Sequence, residues 1–237
     1  SIFFFSPVIL LYSEFLKSIF FEIELTFTFI HAFINSILIS LSTGVVVSIF
    51  GLLISYLLVI NHKNFLLQQL LFLTSSMILI ISPIIFSLGY FIFFQPIIHY
   101  SYLKFFLVIL INVIFLLPFA ILIFFNNLKN LYLNFNDFRK TYRIELFSYI
   151  KIIFPLLKNN FLYVFSFSTV ITLGDFTIIS FFRNENFETL PSYLFKLIST
   201  YQFNEASFVA GTILIISMII YFFIDNLNYQ GRPDITT

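Results

Sequence analysis

The chain has 237 residues, of which 60% are hydrophobic and 10% are charged. Soluble domains are roughly 45–50% apolar and about 25% charged, so this composition excludes a water-soluble enzyme and predicts an integral membrane protein. The 12 basic and 11 acidic residues nearly cancel, which leaves no basic footprint for nucleic-acid binding, and the lack of cysteine excludes disulfides and thiol catalysis.

The N-terminal stretch Ser1–Leu11 is apolar but too short to cross a membrane alone. A spanning helix needs about 20 apolar residues for roughly 30 Å of hydrocarbon. No basic segment precedes the stretch, so a signal peptide is not expected. We expect residues 1–12 to be the end of a preceding transmembrane helix and residues 13–32 to form a periplasmic connector.

Longer apolar stretches follow, each with at most one charged residue. They are Phe33–Ile60, Phe65–Ile98, Phe105–Phe125, Asn159–Phe182 and Ala206–Ile224. The sequence therefore predicts an all-α integral membrane bundle with five full transmembrane helices plus a partial N-terminal one.

Lysine and arginine are distributed unevenly between the two sets of connecting loops. Cytoplasmic loops are enriched in both residues, so the richer set marks the cytoplasmic side. That set contains Lys63, Lys129, Arg139, Lys140, Arg143, Lys151, Lys158 and Arg232. The polar segment 126–158 and the tail 228–237 are therefore predicted to be cytoplasmic.

Motifs for catalysis and for metal binding are missing from the sequence. It contains no G-x-x-x-x-G-K-[ST], so the chain does not bind ATP in the P-loop manner. His31, His62 and His99 each stand without a carboxylate or a second histidine at ligand spacing. We predict neither a cofactor nor a metal site.

The polar segment 126–158 contains apolar residues at helical spacing. Steps of three and four residues separate Phe135, Phe138, Tyr142, Leu146 and Tyr149. This pattern favours a short amphipathic helix at the cytoplasmic end of the bundle. An ordinary basic loop is the alternative.

The same segment resembles the coupling loop of type I ABC importer permeases, whose motif is E-A-A-x-x-x-G, nine residues and then I-x-L-P. Aligning on Ile152 to Pro155 puts Tyr142 at the glycine and Asn136 at the glutamate, whereas a one-residue slip uses Arg143 and Asp137. The resemblance implies contact with an ATPase, with coupling residues Asn136, Asp137, Arg139, Tyr142, Arg143 and Pro155.

A second resemblance is to the permeases of thiamine ABC importers. Residues 172–182, which begin Thr-Leu-Gly-Asp-Phe, and the Thr189-Leu190-Pro191 run carry it, followed by Tyr201 and Glu205-Ala206. Arg183 stands where that family has glycine. The resemblance extends from about residue 33 to the C-terminus and implies the second half of a tandem permease, with an ABC transmembrane domain at 33–227.

This resemblance implies a permease subunit that carries out no chemistry itself and lies in the inner membrane. The implied partners are an ABC ATPase dimer, a periplasmic thiamine-binding protein, a first permease half and the lipid bilayer, without nucleic acid. The substrate would be thiamine or its phosphate esters. Alternatives are another substrate such as ferric iron, a secondary transporter, or a degenerate remnant.

Asp175 is the sole charge inside a predicted span. A carboxylate within a membrane is costly, and it is a functional hint by default. We expect Gly174, Asp175 and Phe176 to belong to the translocation pathway or its gate, with Gly174 permitting a bend or a close helix approach. The alternative is a helix-end residue bonded to nearby backbone.

Residues 190–201 have an amphipathic helical pattern, with apolar residues at Leu190, Leu194, Leu197, Ile198 and Tyr201. Pro191 is suited to a first helical turn. We predict a short interfacial helix outside the membrane. The resemblance implies that it faces the binding protein through Leu190, Pro191 and Tyr201, and an ordinary connector is the alternative.

Overall fold

The computed structural model describes the backbone of residues 27–60, 69, 81–96, 100–142, 146–184 and 187–229. Side chains are described within these ranges except at residues 60, 101, 132–155, 225 and 227–229. The predicted partial N-terminal helix at 1–12 and half of the predicted span 65–98 lie outside the described residues.

Almost the whole described backbone is helical. In chain order the helices are α1 Phe27–Ile60, α2 Pro83–Phe94, α3 Ser101–Tyr142, α4 Leu146–Gly174, α5 Ile179–Phe182, α6 Leu190–Ser199 and α7 Phe203–Tyr229. Within the described ranges the β-type pairing is an isolated bridge between Asn184 and Phe187. The predicted all-α class is confirmed for the described residues.

Within the described residues, three helical stretches are long and apolar enough to cross a membrane: Phe27–Val59, Tyr102–Leu131 and Phe203–Ile224. They correspond to the predicted spans at 33–60, 105–125 and 206–224. Helix α1 begins inside the segment predicted as a connector. The number of spans stays a prediction, because half of the stretch 65–98 is not described.

The predicted span 159–182 is interrupted in the structure. Helix α4 ends at Gly174, residues 175–178 are not helical, and α5 is a separate helix of 4 residues. Hydrophobicity alone did not predict this break, because apolar residues continue on both sides of Asp175.

The structure of the polar segment 126–158 also differs from the prediction, which was a loop with a short amphipathic helix. Helix α3 continues to Tyr142, and α4 begins at Leu146. Long helices thus extend into the predicted coupling segment from both sides. Pro118 lies inside α3, and Pro83 is at the first turn of α2, where it starts the helix.

Helix α1 lies at the centre of the bundle and contacts α3, α4 and α6. Two glycines of α1 allow α3 and α4 to approach it closely. A Cβ atom added at Gly44 would overlap the Thr169 side chain of α4, and one added at Gly51 would lie 2.6 Å from the Ala120 Cβ of α3. Small residues are typical of such contacts between membrane helices.

The contacts also give the helix directions. Ile39 of α1 clusters with Leu107 to Ile111 of α3, and Val47 and Val59 cluster with the later α3 residues Val113 to Leu128. Helices α1 and α3 therefore run in the same direction. Gly44 contacts α4 near Thr169, while the earlier Ser36 bonds to Leu190 beyond the end of α4. Helix α4 therefore runs in the opposite direction.

Candidate functional site

The break after α4 is organised by the side chain of Asp175. Its Oδ1 atom accepts a hydrogen bond from the Thr177 backbone N–H at 2.9 Å and another from the Thr177 hydroxyl at 2.6 Å. A short aspartate side chain that bonds to backbone two residues later forms a turn that competes with the helix. This local bonding explains why α4 stops although apolar sequence continues.

The other carboxylate oxygen of Asp175 is buried. Oδ2 has no hydrogen-bond partner among the described residues, and neither does the buried hydroxyl of Thr172 one turn earlier. The carboxylate thus points into the bundle. The alternative predicted from the sequence, a helix-end residue bonded to nearby backbone, agrees with the hydrogen bonds of Oδ1. Oδ2 remains available to another polar group.

Gly174 is exposed at the end of α4. A Cβ atom added there would meet nothing within 4 Å, and its φ is not positive. Gly174 therefore does not serve a close helix approach. The close approaches are at Gly44 and Gly51, which the sequence analysis did not single out.

Phe176 packs against α6. Its ring stacks on that of Phe195, with centroids 4.7 Å apart, and the Arg183 guanidinium carbon lies 5.6 Å from the same Phe195 centroid. Arg183 is exposed. The ring of Phe195 on α6 therefore contacts both Phe176 in the break and Arg183 after α5.

The segment before α6 is attached to α1. The Asn35 side-chain amide donates to the Glu188 carbonyl at 3.0 Å, and the Leu190 N–H donates to the Ser36 hydroxyl at 2.7 Å. Thr189 and Ser192 form a reciprocal cap at the start of α6. The bond of the Leu190 N–H and the Thr189–Ser192 cap satisfy N–H groups that a helix start leaves without partners.

Helix α6, at Leu190–Ser199, confirms the helix predicted from the apolar pattern, with Pro191 in its first turn. Leu190 and Pro191 are buried, Leu190 in a cluster with residues of α1 and α7, and their role toward the binding protein stays a prediction. Tyr201 is 81% exposed. It has a φ of 60°, an uncommon backbone conformation for a non-glycine residue.

The predicted coupling residues are not joined into a described site. Asn136, Asp137, Arg139 and Tyr142 belong to the helical backbone of α3, and Pro155 belongs to α4. Their side chains, and Arg143 altogether, lie outside the described residues.

Known proteins are similar to this chain over most of its length. The thiamine transport system permease protein of Escherichia coli is 26% identical over 167 residues, which are 70% of this chain and 31% of that protein. The permease protein of the same name from Salmonella typhimurium is 26% identical over 160 residues, or 67% of this chain and 30% of its own length. The chain is similar to thiamine transport permeases over about 70% of its length.

A further relative comes from Haemophilus influenzae. This thiamine transport system permease protein is 26% identical over 179 residues, covering 72% of this chain and 31% of the relative. No protein-family profile matches the chain. The chain spans about a third of the length of these curated relatives.

Several residues of the site were missed by sequence reasoning. Asn35 and Ser36 were read as part of a plain apolar span, and Phe195 was not singled out. Their partners are distant in the sequence, since Asn35 and Glu188 are 153 positions apart. No local pattern could have identified them, although polar residues within an apolar span are a general sign of a helix contact.

Proposed function

We propose that the chain is the second permease half of a binding-protein-dependent ABC importer that moves thiamine or its phosphate esters into the cytoplasm. The observation that carries this proposal is the similarity to three thiamine transport permeases over roughly 70% of the chain. The long apolar helices fit a permease subunit of the inner membrane. The chain itself would catalyse no reaction.

The partners follow from this role. A separate ABC ATPase dimer would bind the cytoplasmic ends of α3 and α4, where Asn136, Asp137, Arg139, Tyr142, Arg143 and Pro155 are the coupling candidates. A periplasmic thiamine-binding protein would approach the end of the bundle that carries α6 and Tyr201. A first permease half would complete the pathway.

Transport would then proceed by a change between two states of the paired halves. ATP binding would favour the outward-open state, and hydrolysis would return the inward-open state, because the partners bind the two states differently. The non-helical residues 175–178 provide a place where the end of the bundle can move without breaking a long helix. Gly174, Asp175 and Phe176 are the proposed gate.

The experiment is ATP-dependent uptake of labelled thiamine into vesicles that contain the chain in its full reading frame with the ATPase and the binding protein. We expect uptake that disappears without ATP or without the binding protein. Correctly inserted protein that gives no uptake, and no ATP hydrolysis on addition of thiamine-loaded binding protein, would contradict the proposal.

A further inference from the structure

Exposed aromatic side chains mark one end of the bundle. Phe27 begins α1, Tyr100 and Tyr102 flank the start of α3, and Tyr201 and Phe203 are at the start of α7, all of them more than half exposed. Tyrosine and tryptophan are enriched where membrane helices meet the headgroup region, and three of these five residues are tyrosines. These five residues, which we call the aromatic belt, therefore indicate the level of the membrane surface.

The break and α5 lie below this belt. Ile178, Ile179 and Phe182 belong to a buried cluster with Ile39 of α1 and Leu107 of α3. Ile39 follows Phe27 by 12 residues and Leu107 follows Ser101 by 6. At 1.5 Å per helical residue, the cluster lies roughly 9 to 18 Å toward the membrane centre from the helix starts.

Polar groups are exposed at this level. Gly174 ends α4, and Arg183 and Asn184 follow α5 directly; all three residues are exposed. The guanidinium of Arg183 contacts the half-exposed ring of Phe195. Irregular backbone and charged side chains at membrane depth are found inside protein or along water-filled cavities, not against lipid.

We propose that Gly174, Arg183 and Asn184 line a water-filled cleft that enters the membrane from the aromatic belt. This inference rests on the membrane location in the proposed function and adds Arg183 and Asn184 to the pathway side of the gate. The Asp175 carboxylate lies behind this surface, because Oδ2 is buried. Arg183 gives the cleft a positive charge at the level of the break.

The chain has no cysteine, so single cysteines can be introduced without removing any. Asn184→Cys and Gly174→Cys would each carry a nitroxide spin label in the protein reconstituted into vesicles. Power saturation with a water-soluble nickel chelate and with oxygen measures contact with water and with lipid. Leu38→Cys and Phe106→Cys are matched controls, because both are exposed apolar positions beside the cluster residues Ile39 and Leu107.

We expect labels at 174 and 184 to collide more with the nickel chelate than with oxygen, and labels at 38 and 106 to show the reverse ratio. Oxygen-dominated collisions at 174 and 184 would overturn the proposal, because they would show lipid there. Inaccessibility to both reagents would overturn it too, because a partner surface would then fill the place. The readout needs no transport, so a chain that fails to move thiamine still tests the cleft.

Discussion

The two carboxylate oxygens of Asp175 have different environments, and this difference separates two roles of one residue. Oδ1 holds the turn through Thr177, whereas Oδ2 is buried without a partner among the described residues. An asparagine keeps an oxygen that can accept the same bonds but removes the charge. Substitution can therefore distinguish the turn from the charge.

Asp175→Asn should leave membrane insertion and thermal stability close to those of the parent, while uptake of labelled thiamine slows. Asp175→Ala, which loses both bonds to Thr177, should in addition lower stability by about 0.5–2 kcal/mol, the usual cost of losing a local cap. Thermal unfolding in detergent and uptake in vesicles measure the two effects. Unchanged uptake in Asp175→Asn would remove Asp175 from the gate.

Gly44 and Gly174 allow a matched comparison of glycines. Gly44→Ala should be destabilising by about 1–3 kcal/mol, because its new methyl group would overlap Thr169 and crowd Phe165, and overpacking carries a cost of that order. Gly174→Ala has open space around it and should be nearly neutral. Equal unfolding temperatures for the two variants would contradict the close α1–α4 contact.

At the level of elements, α6 is attached to α1 by hydrogen bonds and packs on α1 and α7 through Leu190, Tyr193 and Leu197. Its position thus follows the position of α1. If binding of a partner protein displaces α6, these hydrogen bonds would displace α1 with it.

Ser36→Ala tests this attachment. The buried Leu190 N–H would lose its partner, which costs about 1–3 kcal/mol for a buried donor. We expect the amides at the start of α6 to exchange with deuterium faster, while those in the middle of α3 stay protected. Ser199→Ala is the control, since its exposed hydroxyl bonds within α6. Equal exchange in the two variants would show that Ser36 does not hold α6.

The elements also show what the sequence can and cannot predict. The spacing of apolar residues and Pro191 predicted α6, because both are local signals. The interruption at Asp175 was missed, since a hydropathy pattern does not register a side chain that bonds to its own backbone. The contacts of Gly44 with Thr169 and of Asn35 with Glu188 could not be predicted, because each depends on which distant segment packs alongside.

For the whole molecule, the proposed contact with the ATPase is in the segment 126–158, where α3 ends and α4 begins. Arg139→Glu combined with Arg143→Glu reverses two charges at the end where α3 and α4 meet. We expect the ATPase to be lost when the permease is purified in mild detergent. Arg183→Glu, which reverses a single charge at the opposite end, is the control and should retain it. Retention in both variants would argue against a coupling surface there.

Uptake by the complete system tests both the direction and the substrate of transport. Vesicles would contain the full reading frame and its ATPase, with the binding protein added on the outside and ATP inside. We expect accumulation of labelled thiamine that unlabelled thiamine competes away and that stops without ATP. Accumulation of a different substrate under the same conditions, with thiamine excluded, would contradict this expectation.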